Sequence, residues 1–222
     1  MKRRLLLAAV LGLSLTAGTA LAASPARPAE WATSVSDGGV DNLYLIEPGL
    51  FRSAAPSSTG FEKLAARGVK AILDLRGRSE DKQVAGSAAL KLFHVPMSAW
   101  GLHDDRVLEA LRILTDPSNR PLLVHCQHGA DRTGAIVALY RIVVQGWSKE
   151  AAISEMNLGG YHHNSFFHNL DQYVLAADVA RLRTELGIVR TESGIVATAS
   201  GGTPAGLLIT AIPLAQATKA AQ

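Results

Sequence analysis

Cysteine is almost absent: the chain has one, Cys126, so no disulfide can form within it. A single thiol is then either a buried small hydrophobe or a reactive group, and its neighbours must decide. CxxC and HxxxH spacings are missing as well, and His162-His163 is only a vicinal pair, so nothing points to a metal site. Aromatic residues make up 5% of the 222 residues, but leucine, isoleucine, valine and alanine are plentiful enough to build a core. An excess of one charge is lacking too. Lys2, Arg3 and Arg4 account for the whole formal charge of +3; without them, lysine plus arginine equal the 19 aspartates plus glutamates. That balance offers no basic stripe and no support for nucleic-acid binding.

Those three cations precede an apolar segment, Leu5 to Leu15, and a small-residue exit, Ala20-Leu21-Ala22. The pattern predicts a secretory signal peptide over 1–22, cleaved between Ala22 and Ala23. Its apolar core is short for a bilayer span, and no cysteine near the exit could take a lipid, so no stable membrane anchor is expected. An uncleaved anchor is the alternative. The expected location is the periplasm or the exterior. A Pro/Ser/Ala-rich linker follows over 23–40, then one domain over 41–189. From 190 to 222 an Ala/Gly/Thr/Ser-rich, low-complexity tail is expected to be flexible; its apolar island GLLITAIPLA is short and carries Pro213.

Within the domain, NLYLIEPGLFRSAAP reads as two short strands around the turn Glu47-Pro48-Gly49. GFEKLAARG is a short helix closed by Gly68, and VKAILDLRG and KLFHVPM are strand-like. DDRVLEALRILTD has apolar residues at helical spacing, with Asp104 and Asp105 at the favourable N-terminal end. PLLVHC is an apolar strand, and RTGAIVALYRIVVQG is a helix so apolar that it must be buried. Ser148 caps the next helix, and one further helix is expected over Leu170 to Leu186. This order predicts an α/β fold: a small mixed, mostly parallel sheet flanked by helices.

The stretch LLVHCQHGADRTG then explains the lone cysteine. Cys126 ends a strand, Arg132 begins a helix, and the five residues between, Gln127, His128, Gly129, Ala130 and Asp131, form a loop at the helix N-terminus. Backbone N–H groups converge there, and with the helix dipole they bind a phosphate-like oxyanion. The same field favours a thiolate. A thiolate facing a bound phosphate monoester is aligned for in-line attack, which gives a phosphocysteine. Arg132 can grip two phosphate oxygens. Thr133 can donate its hydroxyl to the sulfur as it leaves, and His125 fixes the loop through its ring hydrogen bonds. No cofactor is needed.

His125, Cys126, Gly129, Arg132, Thr133 and Gly134 together match the His-Cys-x5-Arg-Ser/Thr loop of the Cys-based protein tyrosine phosphatases. The chain resembles the compact dual-specificity branch of that superfamily, bacterial exported type, over about Asn42 to Leu186. The resemblance implies the phosphatase fold, Cys126 as nucleophile, Arg132 as phosphate binder and a phosphorylated protein as substrate. Phosphotyrosine is expected, with phosphoserine and phosphothreonine as further substrates if the site is shallow.

The family places its general acid, an aspartate, on a loop ahead of the signature strand. Asp104 is the candidate here, with Asp105 second and His103 a lesser choice; both aspartates also suit a helix start. Asp131 can orient water or brace Arg132, and Trp100 is a packing residue on the same loop. Arg76, Arg78 and Lys82 can line the rim or simply face solvent. A phosphoinositide or inositol phosphate phosphatase is the enzymatic alternative, although Gln127, His128 and Ala130 stand where such loops often carry lysine. An inactive phosphopeptide-binding module is the other. Arsenate reductase fits poorly, because the resolving cysteines are missing, and so does rhodanese, whose loop is shorter.

Overall fold

The computed structural model describes residues 27–36, 39–86, 88–191 and 194–197. The expected leader and the tail beyond 197 lie outside the described residues. Among those described, no helix is long and apolar enough to cross a membrane.

Six strands form one sheet: β1 (Thr33–Ser34), β2 (Tyr44–Glu47), β3 (Leu50–Ser53), β4 (Ala71–Asp74), β5 (Lys91–His94) and β6 (Leu122–His125). Their order across it is β1-β2-β3-β6-β4-β5. The β1–β2 and β2–β3 pairs are antiparallel, and β3, β6, β4 and β5 run parallel. Gly49, with φ +77°, closes the β2–β3 turn that the Pro-Gly pair announces.

Every residue of β4 and β6 is buried, as befits central parallel strands covered on both faces. Alternation then sorts their side chains. Ile72 and Leu123 enter a smaller core with Phe61 and Leu64 of α1 (Ser58–Ala66). Ala71, Leu73, Leu122 and Val124 enter the larger core, on the face that holds α3 (Asp104–Thr115), α4 (Asp131–Val143), α5 (Lys149–Leu158), α6 (His168–Ala176) and α7 (Val179–Glu185). In α4 every residue except Arg132 is buried. Its sequence had no polar stripe to spare, and it occupies the centre.

Four features differ from the sequence reading. The single helix expected over Leu170 to Leu186 is two, because Ala177 turns extended and the Asp178 carboxylate accepts the Arg181 N–H to cap α7. The linker expected over 23–40 is folded in its second half: β1 pairs with β2, and Ala32 and Val40 are buried. A hairpin of β7 (Ile188–Thr191) and β8 (Gly194–Ala197) crosses the expected domain boundary at 190. A short helix, α2 (Asp81–Val84), was not anticipated.

Candidate active site

Ser53, Asp74 and His125 sit level at the carboxyl ends of three adjacent parallel strands. Ligands of open α/β sheets bind outside this edge. The chain leaves β6 there, makes a five-residue loop over 126–130, and enters α4 at Asp131.

The loop's carbonyl groups can be followed one by one. His125 O accepts from Leu75 N–H at 2.9 Å, Gln127 O from Ala55 N–H at 3.1 Å, and Ala130 O from Gly134 N–H at 2.8 Å. Cys126 O takes the ring of His125 at 3.0 Å, His128 O the Asn42 side-chain amide at 2.8 Å, and Gly129 O the guanidinium of Arg52 at 2.7 Å. With all six carbonyls engaged, the N–H groups of Gln127, His128, Gly129 and Ala130 have no protein acceptor among the described residues. Successive free amides at a helix N-terminus make an anion cradle. The segment 42–55, which carries three of these donors, therefore shapes the loop.

Cys126 is 1% exposed at the base of that loop. Gly129 has φ +70°, and a Cβ there would lie 2.3 Å from the backbone of Ser53, so only glycine fits. Arg132 reaches Met97 O weakly, at 3.5 Å, and its buried Nε has no partner. The Thr133 hydroxyl is buried and also unpartnered. Buried donors without acceptors are rare enough to mark a functional position.

His125 is fully buried, and its two ring nitrogens are committed to Cys126 O and, at 2.9 Å, to Asp81 Oδ2. Asp81 and Asp74 share Arg76, whose Nε and Nη2 reach both oxygens of Asp74. Asp74, Asp81 and His125 place ligand-type atoms within 4.8 Å of one another, and the Arg76 guanidinium is the cation that the two aspartates hold. Burial pushes the Asp74 carboxyl up, but its bonds to Arg76 and the nearby His125 outweigh this and hold it below the ordinary range. Arg76 thus turns inward and does not line the rim.

Asp104 is engaged elsewhere. Its carboxylate accepts from Tyr173 Oη at 2.6 Å and from Arg181, and these bonds hold its pKa low, the Tyr173 bond most of all. Asp105 is exposed and contacts Arg106 at 3.6 Å. His103 is exposed at the N-cap of α3. Asp131 accepts the Asn164 N–H at 2.9 Å and lies 3.0 Å from His163 Nδ1, so it ties the loop to the 162–168 segment instead of to Arg132. Burial raises the Asp131 carboxyl, but His163 and the Asn164 amide bring it below the usual value. Trp100 is 68% exposed and stands edge-on to Phe166 and Phe167, so it packs on neighbouring rings at the surface.

Sequence reasoning passed over Arg52, Asn42, Asp74 and Asp81. Only Arg52 left a signal: strand alternation puts it on the same face as Leu50, which is an odd place for a cation unless something needs it there.

A cysteine and an arginine with five residues between them, on a strand-loop-helix at the carboxyl edge of a sheet, define a Cys-based phosphatase. Residues 32–170 match the family described as DSP-PTPase phosphatase fused to NAD+ kinase. The chain is 40% identical over 183 residues to the dual specificity protein phosphatase TpbA of Pseudomonas aeruginosa strain UCBPP-PA14, covering 81% of this chain and 83% of that protein. The crystal structure of a TpbA cysteine variant in complex with phosphotyrosine covers 71% of this chain and 96% of its own, at 36% identity and TM-score 0.65. The inositol diphosphatase DSP3 of Arabidopsis thaliana is 29% identical over 122 residues, covering 51% of this chain and 60% of that protein. The chain belongs to the dual-specificity branch of the protein tyrosine phosphatase superfamily.

Proposed function

We propose that the protein is an exported phosphatase that hydrolyses phosphotyrosine, and more slowly phosphoserine and phosphothreonine, through a phosphocysteine on Cys126. The observation that carries this reading is the loop from Cys126 to Arg132, whose carbonyls are all bound and whose amides are left for an oxyanion. The Cys126 sulfur attacks phosphorus; an S–P bond forms as the bond to the leaving oxygen breaks. Arg132 and the loop amides hold the remaining oxygens through the transition state. Water then attacks the phosphocysteine, the S–P bond breaks to release inorganic phosphate, and the Thr133 hydroxyl donates to the departing sulfur.

The leaving oxygen needs a proton, and Asp104 is the proposed source. To serve, it must part from Arg181 and Tyr173 and bind a proton that both partners disfavour. A phenolate, the better leaving group, depends least on that proton, which supports phosphotyrosine ahead of the alkyl phosphates. The TpbA cysteine variant, crystallised in complex with phosphotyrosine, supports phosphotyrosine as a substrate. Export rests on the basic-apolar-small pattern of residues 1–22.

The test is hydrolysis of a phosphotyrosine peptide in the presence of EDTA, with Cys126→Ser beside the wild type. The variant should bind the peptide and lose turnover by about a thousandfold or more. A wild type that binds without turning over would replace this reading with a phosphopeptide-binding module. Faster turnover of inositol phosphates than of the peptide would replace it with the inositol phosphatase reading.

A further inference from the structure

Arg52 is the largest of the fully buried side chains among the described residues, 1% exposed on β3. Burying a guanidinium is costly unless a carboxylate answers it. Arg141, also buried, obeys that rule: its Nε and Nη2 meet Glu155 Oε2 and Oε1 at 2.8 and 2.9 Å. Arg52 does not. Among the described residues its partners are Gly129 O at 2.7 Å and the ring of Tyr161, 3.6 Å from Cζ, while Nε has none. A Cβ at Gly134 would stand 3.8 Å from Nη2, so the guanidinium lies against both the loop and the first turn of α4.

We propose that Arg52 is a positioning residue of the catalytic loop: it grips Gly129 O from within the protein and supplies the positive charge that keeps Cys126 reactive. The inference rests on Cys126 being the nucleophile. A buried cation whose direct partners are a carbonyl and a ring is answered by carboxylate only from Glu155, without a direct bond, so its charge also acts on Cys126 at the base of the same loop. Burial is the largest influence on Arg52 and draws its pKa down; Tyr161, Glu155 and Cys126 act in the opposite sense. The carbonyl bond also holds Gly129, and with it the loop amides, in the anion-binding arrangement.

Because Cys126 is the only thiol, its alkylation by iodoacetamide, followed by mass spectrometry across pH, reports on this charge directly. Arg52→Gln keeps a donor for Gly129 O and removes the charge; Arg52→Lys keeps the charge. In Arg52→Gln the alkylation rate at pH 7 should fall about tenfold and its pH midpoint should rise, with kcat reduced more than KM is raised. Arg52→Lys should recover most of the alkylation rate. A midpoint in folded Arg52→Gln equal to that of wild type overturns the proposal. So does equal damage in both variants, the mark of a merely structural role. If Arg52→Gln does not fold, wild type labelled with 15N in arginine gives the answer: the Arg52 and Arg132 guanidinium signals should both follow the thiol titration, and Arg132 alone following it overturns the proposal. A wild type that alkylates as expected but never hydrolyses phosphotyrosine would instead defeat the phosphatase reading.

Discussion

Asp81 holds the ring of His125 through a 2.9 Å bond to Nε2, with both side chains buried. The other nitrogen, Nδ1, faces Cys126 O at 3.0 Å, so the ring braces the backbone of the nucleophile. Both ring nitrogens are thus committed to oxygen partners. Asp81→Asn weakens this brace. Its expected result is a loss of about 1–3 kcal/mol in stability and a kcat lowered severalfold with KM little changed, measured by denaturant unfolding and steady-state kinetics. Unchanged kcat would show that the His125 ring needs no anchor.

Gly129 cannot accept a side chain. In Gly129→Ala the new methyl would meet the backbone of Ser53 at 2.3 Å, at a backbone angle alanine disfavours by about 1–2 kcal/mol. The loop must shift, and turnover of a phosphotyrosine peptide should fall about a hundredfold while the protein stays folded. Near-normal kcat in that variant would mean that the loop geometry described here is not required.

Asp104 makes a prediction that depends on the leaving group. In Asp104→Asn, hydrolysis of aryl phosphates should fall only a fewfold, whereas phosphoserine and phosphothreonine peptides, whose alkoxides need a proton, should lose about a hundredfold. Equal losses on both substrate types would remove Asp104 from the role of acid.

Glu155 governs stability in acid. Burial alone would raise its carboxyl, but Arg141, the Ala32 amide and Arg52 hold it below the ordinary glutamate value. A depressed folded pKa contributes stability that is complete above the unfolded value and is lost as pH falls through the folded one. Glu155→Gln, which leaves Arg141 without its anion, should therefore be less stable than wild type by about 3 kcal/mol at pH 7. The gap in Tm should narrow progressively as pH falls below about 4.3, the unfolded value, and through the lower folded one. A gap that does not narrow with falling pH would assign the effect to packing.

Cys126 has no second cysteine to form a protective disulfide. Hydrogen peroxide should therefore inactivate the enzyme by way of the sulfenic acid, and a thiol reductant should restore activity before further oxidation occurs. Activity indifferent to peroxide would count against Cys126 as the nucleophile.

The strands β2 to β6, the buried α4 and the phosphate loop were legible in the sequence, because each is encoded locally. PLLVHC is a continuous apolar run, α4 has no polar face, and a glycine-bearing turn between a strand and a helix N-terminus has few shapes open to it. The sequence could not show what surrounds that loop. Arg52, Asn42 and Asp81 lie between 44 and 86 positions from their loop partners, and only the parallel pairing of β6 with both β3 and β4 brings them there. The break at Asp178 and the pairing of β1 were missed for a related reason: a side-chain cap and an edge strand are decided by what the neighbouring chain offers. Asp104 shows the limit most clearly. Its position on α3 was readable, but its role turns on Tyr173 and Arg181, 69 and 77 residues away, and only packing sets α6 and α7 beside it.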